Sequence, residues 1–318
     1  MGTKKAKIEV HELRKAFAKE QVLDGVSFSV RSGQIFTLLG SNGAGKTTAI
    51  KILTTLLQAD SGTVTVGGFD VVKQPEQVRE LISLTGQFAA IDDMLTGREN
   101  LRMIGRLRHL QNVNQKADTL LQQFDLVDAA NRSAGDYSGG MRRRLDLAMS
   151  LIGEPQILFL DEPTTGLDPQ SRLALWDIIR GLAAAGTTIF LTTQYLEEAE
   201  QLADYIAILD GGKIVVQGTA TELKSMLPHG RVELTFGSLH DKQVAIELLA
   251  EFYPTTEDET LQVNIITDGS VKQMAAVLGV LDRENLDVTE YAQKLPSLED
   301  VFLTIVNKKN SDGVSSYE

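Results

Sequence analysis

The sequence predicts an α/β chain built round a buried, largely parallel sheet. Three observations point there. Residues 34–39, 157–160 and 188–191 are short apolar runs of strand length. A glycine-rich loop, Gly40-Ser41-Asn42-Gly43-Ala44-Gly45-Lys46-Thr47, joins the first run to a helical start at Thr48-Ala49-Ile50. A helical stretch from about 169 to 185 separates the second run from the third.

Along the chain, Lys7-Ile8-Glu9-Val10 and Val26-Ser27-Phe28-Ser29-Val30 alternate with period two, as strands do, and Asp24-Gly25 and Gly33 supply turns. Asp60-Ser61-Gly62 is a turn before the strand Thr63-Val64-Thr65-Val66. Residues 94–137 read as mostly helical, with amphipathic stretches at 99–104 and 116–121. Residues 207–216 form a hairpin over Asp210-Gly211-Gly212. A boundary falls near Leu227-Pro228-His229-Gly230. Beyond it, strands at 231–236 and 260–266 and helices at 241–251, 270–283 and 297–307 make a small α+β domain that carries no chemical motif. The end of the chain, 308–318, reads as a mobile tail.

At 318 residues the length suits two domains. The formal net charge of −12 argues against a general nucleic-acid binder. The absence of cysteine removes disulfides, thiolate metal sites and cysteine nucleophiles. No apolar run reaches the ~18–20 residues of a membrane span, and the basic N-terminus lacks the apolar core of a secretory signal. Work at a membrane therefore calls for a partner.

The loop at 40–47 satisfies the pattern G-x-x-x-x-G-K-[ST] of a phosphate-binding P-loop. Its glycines let backbone N–H groups converge on an anion, and the following helix N-terminus adds positive potential. Lys46 is placed to reach the β- and γ-phosphates and the Thr47 hydroxyl to hold Mg²⁺. Ser138-Gly139-Gly140, just before a helix, makes a second anion-binding feature, although the same tripeptide is common in plain loops. Asp161 and Glu162 end the apolar strand at 157–160. A carboxylate there suits the metal shell and the next one suits a general base, yet acidic residues also end strands for no chemical reason.

In order and spacing, these motifs over roughly 7–226 resemble the nucleotide-binding subunit of ATP-binding-cassette (ABC) transporters. The resemblance implies a P-loop ABC ATPase core with an antiparallel β subdomain and a helical subdomain at about 88–150, followed by the small C-terminal α+β domain at 230–307. It implies ATP and Mg²⁺ as cofactors. Phe17 falls at the adenine-stacking position, against the alternative of a core aromatic. Gly40, Ser41, Asn42, Gly43, Ala44, Gly45, Lys46, Thr47 and Thr48 hold the phosphates. Gln87, in Leu84-Thr85-Gly86-Gln87-Phe88, matches the glutamine loop that touches Mg²⁺ and meets the membrane partner. Tyr137-Ser138-Gly139-Gly140-Met141 resembles the signature loop, although the family more often has Leu first and Gln last. Asp161 matches the Walker B metal ligand, Glu162 the catalytic base and Asp168 the D-loop. Arg142-Arg143-Arg144 is expected on a solvated or partner-facing side of its helix.

One position departs from the family. Gln194 stands where a switch histidine is usual. Its amide can donate to a γ-phosphate but cannot carry charge or relay a proton. Thr192-Thr193-Gln194-Tyr195-Leu196-Glu197-Glu198-Ala199-Glu200, the stretch at 84–89 and Leu298-Glu299-Asp300-Val301-Phe302-Leu303 are similar to the daunorubicin/doxorubicin-resistance branch. That branch supplies ATPases to ABC-2 type drug exporters. The resemblance implies two such subunits facing head to tail, with Lys46, Thr47 and Asp161 acting in cis and Ser138 and Gly140 in trans. It further implies a separate ABC-2 permease, no nucleic acid, and a place on the cytoplasmic face of the membrane through that permease. Two other functions remain open: a nucleotide-gated switch with little hydrolysis, and a non-transport ABC ATPase.

Overall fold

The computed structural model describes residues 6–18, 20–86, 90–227, 230–256, 260–267, 270–294 and 296–304. The chain forms two compact units, Met1–Ala220 and Thr221–Glu318.

The first unit begins with β1 (Ala6–Phe17) and β2 (Glu20–Arg31), an antiparallel pair. β3 (Ile35–Leu39) is buried along its whole length and runs through the loop at 40–45 into α1 (Lys46–Leu53). β4 (Ser61–Val66) and the short β5 (Phe69–Asp70) complete a four-stranded antiparallel sheet in the order β2-β1-β4-β5. After α2 (Pro75–Leu81) comes β6 (Ile82–Thr85). α3 (Gly97–Leu107) starts at a capping box in which Thr96 and Glu99 satisfy each other's backbone N–H groups. α4 (Val113–Gln123) and α5 (Gly139–Leu151) follow. Then β7 (Ile157–Asp161), α6 (Pro169–Ala184), β8 (Thr188–Thr193), α7 (Leu196–Leu202), β9 (Tyr205–Asp210) and β10 (Lys213–Gly218) close the unit.

A six-stranded sheet in the order β10-β9-β3-β8-β7-β6 forms its centre. All neighbours run parallel except the hairpin strand β10. The complete burial of β3, β7 and β8 is what a parallel sheet covered on both faces requires, and it explains why their sequences are apolar without alternation. One face meets the antiparallel sheet through Phe28, Phe36 and Phe190, with the Phe28 and Phe36 rings stacked at 4.9 Å. The other packs on the helices through Leu145, Leu158, Leu175 and Trp176.

The second unit takes in most of α8 (Ala220–Ser225), then β11 (Gly230–Phe236), α9 (Leu239–Leu248), β12 (Gln262–Thr267), α10 (Val271–Arg283), β13 (Val288–Lys294) and a helical segment at 298–304. Its antiparallel sheet has the order β12-β11-β13, and Val232, Leu234, Val263, Ile265, Val277 and Leu281 form its core. Three strands escape the sequence reading. β5 is only two residues long, β6 is four residues directly behind a helix, and β13 is largely exposed and polar, so none carries a distinct hydrophobic signal.

Candidate functional site

The P-loop lies where a buried strand gives way to a helix. Gly45 has φ +108°, and a Cβ there would come within 2.8 Å of the Val22 carbonyl oxygen and a Leu23 methyl. Only glycine permits both the backbone angle and that approach. The loop turns back on the Lys46 side chain, which is buried and donates from Nζ to the Gly40 carbonyl at 2.8 Å and the Ser41 carbonyl at 3.0 Å. The same ammonium sits 3.2 Å from Oε1 of Glu162.

The ends of β3, β7 and β8 bring the remaining groups to this place. The Thr47 hydroxyl donates to Oδ2 of Asp161 at 3.0 Å. Thr192, which pairs with Asp161 across the parallel register of β7 and β8, donates its buried hydroxyl to Oδ1 at 2.5 Å. Both oxygens of the buried Asp161 are thus satisfied. Glu162 adopts φ +48°, with its N–H bonded to the Thr192 carbonyl at 3.1 Å and its Oε2 accepting from the Thr165 hydroxyl at 3.3 Å. This left-handed turn swings the carboxylate off the strand axis and toward Lys46.

These residues open on a cleft of about 420 Å³ lined by Val22, Asn42, Gly43, Lys46, Thr47, Thr48, Asp161, Glu162 and Gln194 among others. Asn42, Gly43, Gly45, Lys46, Thr47, Thr48, Asp161, Glu162 and Gln194 are therefore brought together. Gly40, Ser41 and Ala44 belong to the same loop without lining the cleft. Thr47 and Asp161 offer a hydroxyl and one carboxylate beside open volume. That suits Mg²⁺, which takes few protein ligands and keeps water and phosphate oxygens. Among the described residues no group of three or more His, Asp or Glu forms an all-protein metal cage.

Phe17 does not line the cleft; it stands 46% exposed at the end of β1, with the Lys15 ammonium 5.4 Å above its ring, so it is not a core aromatic. Gln87 lies outside the described residues. Ser138 caps α5, its hydroxyl accepting from the Met141 N–H at 3.3 Å. Gly139 has open space about its Cα, whereas a Cβ on Gly140 would come within 2.3 Å of the Ser171 hydroxyl. None of the three reaches the P-loop cleft of its own chain. Asp168 caps α6, accepting from the Ser171 N–H at 2.9 Å and its hydroxyl at 2.6 Å, and these bonds hold its carboxyl below the usual range.

The arginine run differs from expectation. Arg143 is 8% exposed, not solvated. Its Nε donates to the Pro163 carbonyl at 2.6 Å, and its Nη1 donates to the Gly86 carbonyl at 2.8 Å and to Asp146 at 3.2 Å. Arg142 bonds the Ala134 carbonyl at 3.0 Å and pairs with Asp93, while Arg144 bonds the Phe124 carbonyl at 3.0 Å. Helical spacing turns the three guanidiniums in different directions, and a run of identical letters hides that. The sequence reading also missed Glu198. It is fully buried, with the Trp176 indole N–H donating to Oε1 at 3.1 Å. Burial pushes its carboxyl up, against the pull of the Thr193 and Thr164 hydroxyls, the indole and the Arg143 charge.

Residues 23–165 match the family model described as ABC transporter. A daunorubicin resistance ATP-binding protein of Streptomyces coeruleorubidus is 43% identical over 310 residues, covering 96% of each chain. A doxorubicin resistance ATP-binding protein of Mycobacterium tuberculosis is 41% identical over 307 residues, 94% of this chain and 93% of that one. A Nod factor export ATP-binding protein of Ralstonia nicotianae is 35% identical, covering 96% of this chain and 95% of its own. Among solved structures, an ATP-binding subunit of an ABC transporter superposes with a TM-score of 0.62 at 28% identity, covering 69% of this chain and 92% of that one.

Proposed function

The chain belongs to the ABC transporter family of ATP-binding subunits, ATPases coupled to transport, and from that membership we propose that it powers a separate ABC-2 type permease exporting a drug or antibiotic. The observation that carries the reading is the convergence of Lys46, Thr47, Asp161 and Glu162 on one cleft at the strand ends. Residues 1–226 are assigned to the nucleotide-binding domain and 230–307 to an accessory domain. Among the described residues no helix is long and apolar enough to cross a membrane. The proposal gives the transport path to the permease and this chain a place against it on the cytoplasmic face.

In this reading the loop amides and the α1 N-terminus take the phosphates of ATP. Thr47 and Asp161, with Gln87, would hold Mg²⁺, which when bound would supply charge neutralisation for the transferred phosphoryl group. Lys46 exchanges its bond to Glu162 for phosphate oxygens, which frees Glu162 to accept a proton from the attacking water. Gln194, on the cleft wall, donates its amide to the γ-phosphate. Phe17 stacks on adenine. Ser138, Gly139 and Gly140 do not reach the cleft of their own chain, which favours a head-to-tail homodimer in which they close the partner's site and Asp168 lies at the interface. A nucleotide-gated switch is disfavoured by the presence of the Glu162 carboxylate on the cleft wall beside Lys46.

The test is phosphate release from Mg-ATP by the chain with and without its permease, beside Glu162→Gln. The variant should bind ATP as the wild type does and lose at least about 100-fold in turnover, within the usual reach of a general base. Equal turnover in the two proteins would refute the assignment of Glu162. Vesicles that accumulate no drug despite wild-type hydrolysis would refute the cargo class.

A further inference from the structure

The contacts of Arg143 and Asp146 reach three parts of the molecule that the sequence keeps apart. Arg143 leaves α5 little more than one turn after the Ser138 cap, and Asp146 leaves it one turn later. Arg143 holds the Pro163 carbonyl, next to Glu162, and the Gly86 carbonyl at the end of β6. Asp146 accepts the Ala90 N–H at 3.1 Å. The pair therefore grips Gly86 and Ala90, on either side of Gln87, and fastens both to α5. Burial works against both charges, pushing the Asp146 carboxyl up and the Arg143 guanidinium down, while their mutual attraction opposes each shift. A buried charge pair of this kind adds little to stability compared with apolar residues of similar volume; what it adds here is the set of bonds to Pro163, Gly86 and Ala90. Glu162, in its left-handed conformation, is tied to Thr192 on one side and to Arg143, through Pro163, on the other.

We propose that the Arg143–Asp146 pair is a positioning device: it ties the signature helix, which completes the partner copy's ATP site, to the Glu162 loop of its own copy, so that closure at one ATP site is transmitted to the other. The proposal rests on the head-to-tail dimer described above. Neither residue touches nucleotide. Displacement of the α5 N-terminus by the partner's γ-phosphate moves Arg143 with the rigid helix. The guanidinium then carries Pro163, and the Glu162 backbone with it.

The test compares the full chain with Arg143→Met/Asp146→Leu, which removes both charges at similar volume, and with Asp146→Asn, which keeps the shape and removes one. Four quantities are read: thermal midpoint, affinity for a fluorescent ATP analogue, kcat, and the Hill coefficient for ATP. The wild type should show a Hill coefficient approaching two, the number of coupled sites. The double variant should fold and bind the analogue within about twofold, with a Hill coefficient near one and kcat about tenfold lower. Unchanged cooperativity and kcat in the double variant would overturn the proposal. Loss of analogue binding in step with kcat would overturn it too, by reducing the pair to structural support. If the double variant does not fold, Asp146→Asn decides by the same criteria. A wild type that stays monomeric in ATP, with a Hill coefficient of one, would remove the dimer reading and the proposal together. A cooperative wild type beside an equally cooperative variant removes the proposal alone.

Discussion

Thr192→Val isolates one hydroxyl at the candidate site. In the structure that hydroxyl is fully buried, donates to Oδ1 of Asp161 at 2.5 Å and accepts from the Glu162 N–H at 3.2 Å. Valine keeps the shape and suits a strand, so the backbone of β8 has no reason to move. The Glu162 N–H retains the Thr192 carbonyl, so the loss falls on Asp161, left with one buried oxygen unpaired. A hydrogen bond to a charged group contributes about 1.5–3 kcal/mol. For a unit of this size each kcal/mol shifts the thermal midpoint by roughly 2–4 °C, so without nucleotide the midpoint should fall by about 3–12 °C. If the oriented carboxylate matters equally in the transition state, kcat falls by about 10–100-fold. Thr192→Ser restores the donor and should recover most of both. The assays are a thermal melt without nucleotide and phosphate release at saturating Mg-ATP. A Thr192→Val protein with an unchanged midpoint and kcat within twofold of wild type would refute the claim that this bond orients Asp161.

Two further outcomes are expected. Phe17→Ala should leave the nucleotide-free thermal midpoint unchanged, because the ring is already exposed, and weaken ATP binding by roughly 5–100-fold, the worth of one aromatic stack on a base. Titration with a fluorescent ATP analogue checks this, and unchanged affinity would remove Phe17 from the site. Asp168→Asn should lower stability at neutral pH, and the gap should close in acid. The folded carboxyl is held below its ordinary value by Ser171, so its contribution is complete above the unfolded value and disappears as pH falls through the folded one. Melts of both proteins from pH 7 downward test the sign, and a gap that grows in acid would contradict it.

The P-loop was legible because every part of it is local: the apolar run, the glycines, the lysine and the helix start are contiguous. Asp161 and Glu162 were legible for the same reason, at the end of a strand whose apolar run marks it. The hairpin at 207–216 and the helix behind Pro169 announced themselves by turn residues and periodicity. Arg143 was misread because nothing local distinguishes it from Arg142 and Arg144; its burial depends on Pro163 and Gly86, brought against α5 only when β6 and β7 pair. Nothing local set Glu198 apart from Glu197; its burial depends on Trp176, 22 positions away in the chain.

The sequence by itself therefore determined the family, through the order and spacing of motifs over roughly 7–226, and it marked the phosphate loop and the two carboxylates after the 157–160 run, each written in neighbouring residues. The tertiary structure decided which partners those groups have. The Thr192–Asp161 bond spans 31 positions and the Thr47–Asp161 bond 114, and both exist because parallel register brings the ends of β3, β7 and β8 to one edge of the sheet. Register is a property of the assembled sheet, fixed by which faces become buried, and no single strand carries it.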